Sequence, residues 1–498
     1  FVGSNAGFGL NSSPYSSGTY NTALGYQALT SFTTGYSNVA IGYAASDAIT
    51  TGYLTTAVGV GAGGNATTGT GWVGIGYKAG HAQVDHGSWI AIGYEAMGGT
   101  ATTNQGSGIA IGYRAMYQVT DGSSGVAIGN SALNFLVGQY STALGDEAGR
   151  YATGSYNTFV GNSAGKGGTS SAPYSSGQYN VAVGYRALTD FTTGESNIAV
   201  GQNSLGSVTT GYYNTAVGDH AGVGITTGYS NVAIGRAALY NTTTGQNNTA
   251  VGKGAGTYVV GNDITHIGKE AGKNATGSYN TFVGSEAGKG GTTSAPYSSG
   301  EGNVALGYQA LKAFTTGGDN IAIGYQAAEA LTTSNMVIAI GHSAAQSFTG
   351  DRGYGVYIGR LAGQAETGVY NDTIVGGEAG YSQNMGGAGA SYSYSTYIGY
   401  RAGYYNVSGL SNTYVGNEAG FSKTGAGNTA VGADAMFGGA NAVNSGDNNT
   451  AVGNVAGAYF QGDYAVAVGA QAGRFASGSN NVFMGYLAGR GGTTSAPY

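Results

Sequence analysis

Cysteine is absent from the 498 residues, which excludes a disulfide scaffold and any thiolate metal site. Proline occurs four times and glycine follows no three-residue period, which excludes collagen. Charged residues make up 8% of the chain, against about 25% in ordinary globular domains. The 17 Lys and Arg are scattered and outnumbered by 23 Asp and Glu, so clustered phosphate contacts are not available and nucleic acid is not an expected partner. No apolar run approaches the ~20 residues of a membrane-spanning helix, so no membrane insertion is expected in this segment. No basic stretch followed by an apolar one reads as a signal peptide. With 41% hydrophobic residues and a net charge of -6, the chain is not a disordered polyelectrolyte either.

What fills the space is glycine, 98 residues, and tyrosine, 40. Both follow from internal repetition. The string Asn-Thr-Ala-Val-Gly-x-x-Ala-Gly/Leu recurs 28 times, its central glycine moving from Gly3 to Gly485 in steps mostly of 17 or 16 residues. Three residues after that glycine stands alanine in 27 copies. The residue before it is aliphatic, and two positions further back it is Thr, Val or Ile. Between those two lies alanine in 18 copies and an aromatic in seven. Such regularity within one chain means that each copy solves the same packing problem.

A β-branched, small, aliphatic, glycine run is a short strand of period two. Its β-branched and aliphatic residues share one face, assigned inward, with alanine on the other. No sustained 3.6-residue periodicity predicts helix. Thr-Thr-Gly ten residues on (Gly35, Gly194, Gly211, Gly228, Gly245, Gly317) reads as a corner at which glycine supplies φ > 0. A four-residue strand cannot bury a face alone, but stacked copies can. The expected fold is therefore all-β: a β-solenoid (β-roll) of about 28 coils with a ~17-residue repeat, two or three short strands per coil and parallel stacking at ~4.8 Å. Asparagine opens the motif in 15 copies, among them Asn180, Asn197, Asn214 and Asn231, and predicts a partial amide ladder between coils.

A longer period is superimposed. Phe1, Phe159, Phe282 and Phe483 each precede a Gly-rich insertion ending in Pro-Tyr, dividing a continuous repeat region 1–498 into blocks 1–158, 159–281, 282–482 and 483–498. The opening and closing of the chain inside such blocks read as a window of a longer polypeptide.

The strings Asn21-Thr-Ala-Leu-Gly-Tyr-Gln-Ala-Leu29, Asn231-Val-Ala-Ile-Gly235 and Asn248-Thr-Ala-Val-Gly252 resemble two related groups. One is the head repeat of trimeric autotransporter adhesins (YadA-like); the other is the Asn-Thr-Ala-Val-Gly repeat of phage tail-fibre-like proteins. The adhesin resemblance implies a left-handed β-roll, three parallel chains and an extracellular adhesive role, although the step here is about 17 rather than ~14 residues. One observation on the residues bears on the trimer. The strand position assigned outward is almost always alanine or aromatic and never Asp, Glu, Lys or Arg, which suits either burial on neighbouring chains or contact with another strand of the same coil.

Little in the sequence carries chemistry. The five histidines are scattered, and His81, Asp85 and His86 make at most a nominal metal set read as surface residues. Gly59-Val-Gly-Ala-Gly63 and Gly252-Lys-Gly-Ala-Gly256 imitate phosphate loops as by-products of the repeat. No serine stands in a nucleophile elbow. No catalytic residue, cofactor or metal is assigned, and the chain is read as no enzyme. Eight Asn-x-Ser/Thr sequons leave glycosylation open. The informative surface column is the residue after the motif glycine: Tyr26, Tyr43, Tyr77, Tyr94, Tyr113, Tyr185, Tyr308, Tyr325, Tyr400 and Tyr486. These exchange with Asp146, Arg236 and Lys253, so the column faces solvent, and its tyrosines are the candidate binding residues for sugars or proteins. The expected function is the structural shaft of an extracellular fibre, a phage tail fibre or cell-surface adhesin filament, with a multivalent adhesive surface and self-associated as a homotrimer or fibre. The alternative is a carbohydrate-binding adhesin whose sites are these tyrosine rows. An ice-binding array would need a regular threonine face, and the Thr-Thr-Gly copies are too intermittent for one.

Overall fold

The structure is a computed structural model. It describes all residues except 10–14, 82, 84–86, 100–106, 120–123, 172–173, 350–352, 366–370, 383–392, 407–408, 439–445 and 493–498. The protein is an all-β parallel β-solenoid with a repeat of about 17 residues and, among the described residues, no helix. Two compact units divide it, Phe1–Asn247 and Asn248–Tyr498. The first carries strands β1 (Thr22–Leu24) to β13 (Val232–Ile234), the second β14 (Thr249–Val251) to β27 (Val482–Met484).

Each turn contributes one three-residue strand rather than the two or three expected. The reason lies in the turn after the strand. In Gly25-Tyr-Gln-Ala-Leu29, Gln27 and Leu29 take left-handed backbone (φ 56° and 53°), and homologous positions repeat this throughout. Left-handed backbone costs ~1–2 kcal/mol per non-glycine residue and cannot continue a strand. It persists here because every turn rests on the next. Gln27 N donates to Ser4 O (3.1 Å), Leu29 N to Ala45 O (3.0 Å) and Thr33 N to Thr50 O (2.8 Å). Hydrogen bonds between turns thus run right round the coil, outside the strands as well as in them.

The strands stack in strict register. Thr22, Ala23 and Leu24 pair with Val39, Ala40 and Ile41, and in the second unit Thr249, Ala250 and Val251 pair with Thr265, His266 and Ile267. Like therefore sits on like, which places the motif glycines in files. Their φ is near +130°, and a Cβ on Gly42 would lie 2.5 Å from Gly59 O. No L side chain fits there.

The inward face is the opposite of the one expected. The central alanine of each strand, such as Ala40, Ala182 or Ala322, is fully buried, while the flanking Val39 and Ile41 are half-exposed and Leu24 and Leu306 lie open. Hydropathy ranks Val and Ile above Ala, yet the middle strand residue is the one that enters the lumen whatever its size, Ala40 in one turn and Ile374, Phe282 or Tyr397 in others. The lumen is filled by four positions: the central strand residue, Ala28, Leu29 and the corner Phe32 in one turn, or Ala305, Ala310, Leu311 and Phe314 in another. The uncharged alanine face consequently covers the interior of its own turn, which removes it as a surface for neighbouring chains.

The corner glycines also differ from expectation. Gly35, Gly194, Gly211, Gly228, Gly245 and Gly317 do not have positive φ. Close approach selects them instead: a Cβ on Gly194 would stand 2.5 Å from Gly211 O, and one on Gly211 2.4 Å from Gly228 O.

The asparagine ladder forms. Asn197 Nδ2 donates to Asn180 Oδ1 (3.2 Å) and Gly211 O (2.9 Å), while its Oδ1 accepts from Asn214 N and Nδ2 (both 3.1 Å). Asn231 repeats the pattern on Asn214, and Asn320 on Asn303 in the second unit. Each amide ties strand entry to corner and to the turn beside it. Trp72 and Trp89 take the same column in two successive turns, fully or almost fully buried and stacked 4.5 Å apart. Glycine makes room for them: a Cβ on Gly63 would lie 2.3 Å from Trp72, and one on Gly80 2.1 Å from Trp89.

Candidate functional site: the tyrosine rows

The residue after the motif glycine leaves the strand at the point where the chain turns, so its side chain projects outward. Tyr26, Tyr43, Tyr77, Tyr94, Tyr113, Tyr185, Tyr308, Tyr325 and Tyr400 are 39–54% exposed. In-register stacking then aligns neighbours. Tyr26 and Tyr43 stack at 5.5 Å, and Tyr77, Tyr94 and Tyr113 form a three-ring column with centroids 4.9 and 5.3 Å apart. In the second unit Tyr308, Tyr325 and His342 make another, at 5.2 and 4.9 Å. Among the described residues Tyr185, Tyr400 and Tyr486 enter no such ring column; Arg401 lies over the Tyr400 ring at 5.0 Å. The predicted residues are thus collected into separate short columns, each within one unit.

Stacking has a chemical consequence. Interplanar angles of 14–22° inside the columns mean that the rings cover one another's faces. What reaches solvent is ring edge and phenol hydroxyl, a surface for hydrogen bonding rather than for laying a sugar ring flat.

The next residue, together with the residue three places beyond it, supplies a polar file that runs beside tyrosines at Glu95, Arg114, Gln309, Gln326 and Arg401 and continues through turns without one. Arg114 Nε meets Glu95 at 2.7 Å, Lys166 meets Glu147 at 2.6 Å and Arg401 meets Glu378 at 2.7 Å. Lys289 bridges Glu270 at 2.7 Å, and Lys312 lies between Glu286 (3.6 Å) and Glu329 (3.7 Å). An amide file continues this second series: Gln309 donates to Glu286 (3.0 Å), and Gln326 to Gln309 (3.1 Å). The hydrogen bond from Lys166 holds Glu147 below its ordinary pKa, Lys289 does so for Glu270, and Gln309 for Glu286. Partial removal from water, with Glu95 adjacent, raises the Tyr94 phenol. At Tyr94 and Tyr113 the face therefore presents phenols beside one paired charge, Glu95 with Arg114.

Three buried polar residues escaped the sequence reading. His266 stands in the central strand column, fully enclosed and stacked on Phe282 at 4.8 Å, with neither ring nitrogen hydrogen-bonded. Burial lowers its pKa to about 3. Lys423 occupies the corner column of Phe32, Phe191 and Phe314; burial brings its pKa down to about 8, against the pull of Asp447 and Asp463. Tyr397, also enclosed, reaches Asn406 with its hydroxyl, and burial pushes its phenol up. Column position was the available signal for His266 and Lys423, the imidazole and the ammonium of their columns, although the corner column also admits Gln83, Thr242 and Asn406, and Tyr397 shares its column with Tyr357 and Tyr414. All three are closed off and none joins a cluster that could act on a substrate.

Asp85 and His86 lie outside the described residues. Among the described residues no three of His, Asp and Glu come close enough to hold a metal ion. Of the sequons, Asn65, Asn241, Asn247 and Asn448 are exposed, whereas Asn274 and Asn406 are buried and unreachable in the fold; Asn11 lies outside the described residues.

No family model, no curated protein and no solved structure matches the chain.

Proposed function

We propose that this protein is the structural shaft of an extracellular fibre, a phage tail fibre or cell-surface adhesin filament, which acts without catalysis and self-associates as a homotrimer. One observation carries the reading. In each unit the outward strand face is a double file of Thr, Val, Ile and Leu, with Met484 in the second, running from Thr22 and Leu24 to Val232 and Ile234 in the first, with no charged residue in it. Thirteen strands in register make that uncharged file a continuous strip, and a long, largely apolar exposed strip is a mark of protein–protein contact. A surface of that kind is covered by another chain. The sequence resemblance to trimeric adhesin heads supplies the number three, and the scarcity of charge suits a passive scaffold. Native mass spectrometry of the purified chain is expected to give three times the 49.4 kDa protomer mass. A monomer at micromolar concentration would contradict it. Val232→Lys with Val217→Lys should shift the mass to one protomer.

A second reading is favoured by the tyrosine columns: a carbohydrate-binding adhesin that engages glycans through phenol hydroxyls and the polar file beside them. Replacing Tyr77, Tyr94 and Tyr113 together by Ala should then abolish glycan capture and leave the native mass unchanged. Undiminished capture would eliminate this reading alone.

A further inference from the structure

The Gly-rich insertion of the second unit, Lys289–Ser298, folds back along the coil. Gly291 N donates to Phe314 O (2.8 Å) on one side, and Ser298 N to Asn274 O (3.0 Å) on the other. This return carries Tyr297 onto Tyr258, 39 positions earlier in the chain. Their centroids are 4.2 Å apart with planes inclined by 21°, the shortest ring separation among the described residues. Both rings are half-exposed. The insertion of the first unit brings Tyr174 to the corresponding place, but there the partner at 4.5 Å is Phe135, and the nearest phenol, Tyr151, is 6.2 Å away.

We propose that Tyr258 and Tyr297 are an oxidative cross-linking site, at which the insertion is stapled to the coil as dityrosine. Each phenol loses one hydrogen atom, from its hydroxyl, to become a phenoxyl radical. Spin in a phenoxyl radical resides partly on the ortho carbons. A carbon–carbon bond forms between one ortho carbon of each ring, and both rings regain aromaticity by moving the ortho hydrogen to oxygen. Two electrons and two protons leave in all. The co-reactant is hydrogen peroxide acting through a haem peroxidase, and it is reduced to two waters. Rings stacked at 4.2 Å hold the two radicals in contact, so coupling needs only a local slide and rotation of the rings rather than an encounter, which is the advantage that fixed proximity gives any bimolecular step. Half-exposure leaves the pair open to a diffusing oxidant. A cross-link here closes a loop from residue 258 to residue 297 and would prevent the insertion from peeling away. In the first unit Phe135 has no hydroxyl hydrogen to lose, so its insertion cannot be stapled to that residue.

The test uses the full chain, treated with haem peroxidase and hydrogen peroxide, then digested and mapped by mass spectrometry. The expected product is one joined peptide pair containing Tyr258 and Tyr297, lighter by two hydrogens than the sum of its parts. Its yield should not change on tenfold dilution, and it should exceed any Tyr151–Tyr174 product at least tenfold. Tyr258→Phe should abolish it with no change in thermal unfolding before oxidation, since Phe135 already fills the equivalent place. Phe135→Tyr should create a second product joining residues 135 and 174. The proposal is overturned if dityrosine maps only to other tyrosines, if its yield falls with dilution, or if Phe135→Tyr adds no product.

Discussion

Two adjacent turns of the second unit, one strand at Thr281–Val283 and the next at Val304–Leu306, hold the same lumen volume in opposite ways. In the later turn the central residue is Ala305, and Leu311 six residues on reaches across to fill the space; both are fully buried. In the earlier turn Phe282 fills it from the strand side, and the residue six places on is Gly288, where a Cβ would lie 2.4 Å from the ring. The exchange recurs wherever the central residue is a ring. Phe159 goes with Gly165, His266 with Gly272, Tyr397 with Gly403, Tyr414 with Gly420 and Phe483 with Gly489. The two positions thus face one lumen; where both are small, as Ala143 with Gly149 or Ala216 with Gly222, other side chains such as Leu133 and Phe159 or Leu205 and Ile225 take the space. Leu311 and Gly288 share left-handed backbone (φ 53° and 51°), so the turn itself is common to both kinds.

The sharpest way to break this comparison is to empty one wall. Phe282→Ala should destabilise the second unit by ~3–5 kcal/mol in chemical denaturation, the cost of a large core cavity. Adding Gly288→Leu should then recover more than half, because it rebuilds the arrangement of the neighbouring turn, whereas Gly288→Leu alone should be as harmful as the cavity. If the double variant is no better than the worse single one, the two positions are not one site.

The asparagine ladder is what both kinds of turn share. Asn214→Ala, beside alanine, and Asn280→Ala, beside Phe282, should each cost ~2–3 kcal/mol, since each strands buried backbone partners such as Gly228 O or Gly300 O. Unequal losses would show that the ladder depends on what fills the lumen.

His266 sharpens the comparison through pH. Its pKa is about 3 in the fold, against 6.5 for an ordinary histidine, because the enclosed ring disfavours charge. The unfolded chain therefore binds the proton first. Stability is complete above about pH 6.5, falls as pH drops toward 3, and is flat below that. From pH 7 to pH 5 the loss is on the order of 2 kcal/mol, from about 1.4 kcal/mol per pH unit. His266→Phe, which keeps a ring opposite Gly272, should remove this slope in denaturation measured across pH. The smallest effect is expected outside the lumen: Tyr94→Ala forfeits two exposed ring contacts and should cost ~1 kcal/mol. A larger loss in thermal unfolding would mean that the columns hold the turns together.

Much of this was legible beforehand. The repeat, the strand positions, the motif glycines, the asparagine ladder and the outward tyrosine column all follow from residue types at fixed spacing. The pairing of a central ring with glycine six residues on was equally visible in strings such as Phe159-Val-Gly-Asn-Ser-Ala-Gly165, but its meaning needs the knowledge that both residues enter one lumen. The Tyr258–Tyr297 contact was not legible, because it depends on how a ten-residue insertion folds back.

Spacing alone determined that the chain winds in parallel turns of about 17 residues, since only like residues stacked on like can use so regular a string. Tertiary structure alone decided which strand face looks inward. Alternation separates two faces without ranking them, and here both are apolar. The choice fell to the central position, whose residue enters the lumen whatever its size because the turn adjusts, with Leu311 accompanying Ala305 and Gly288 accompanying Phe282, while Val39 and Ile41 turn outward beside Ala40 in spite of their greater hydrophobicity.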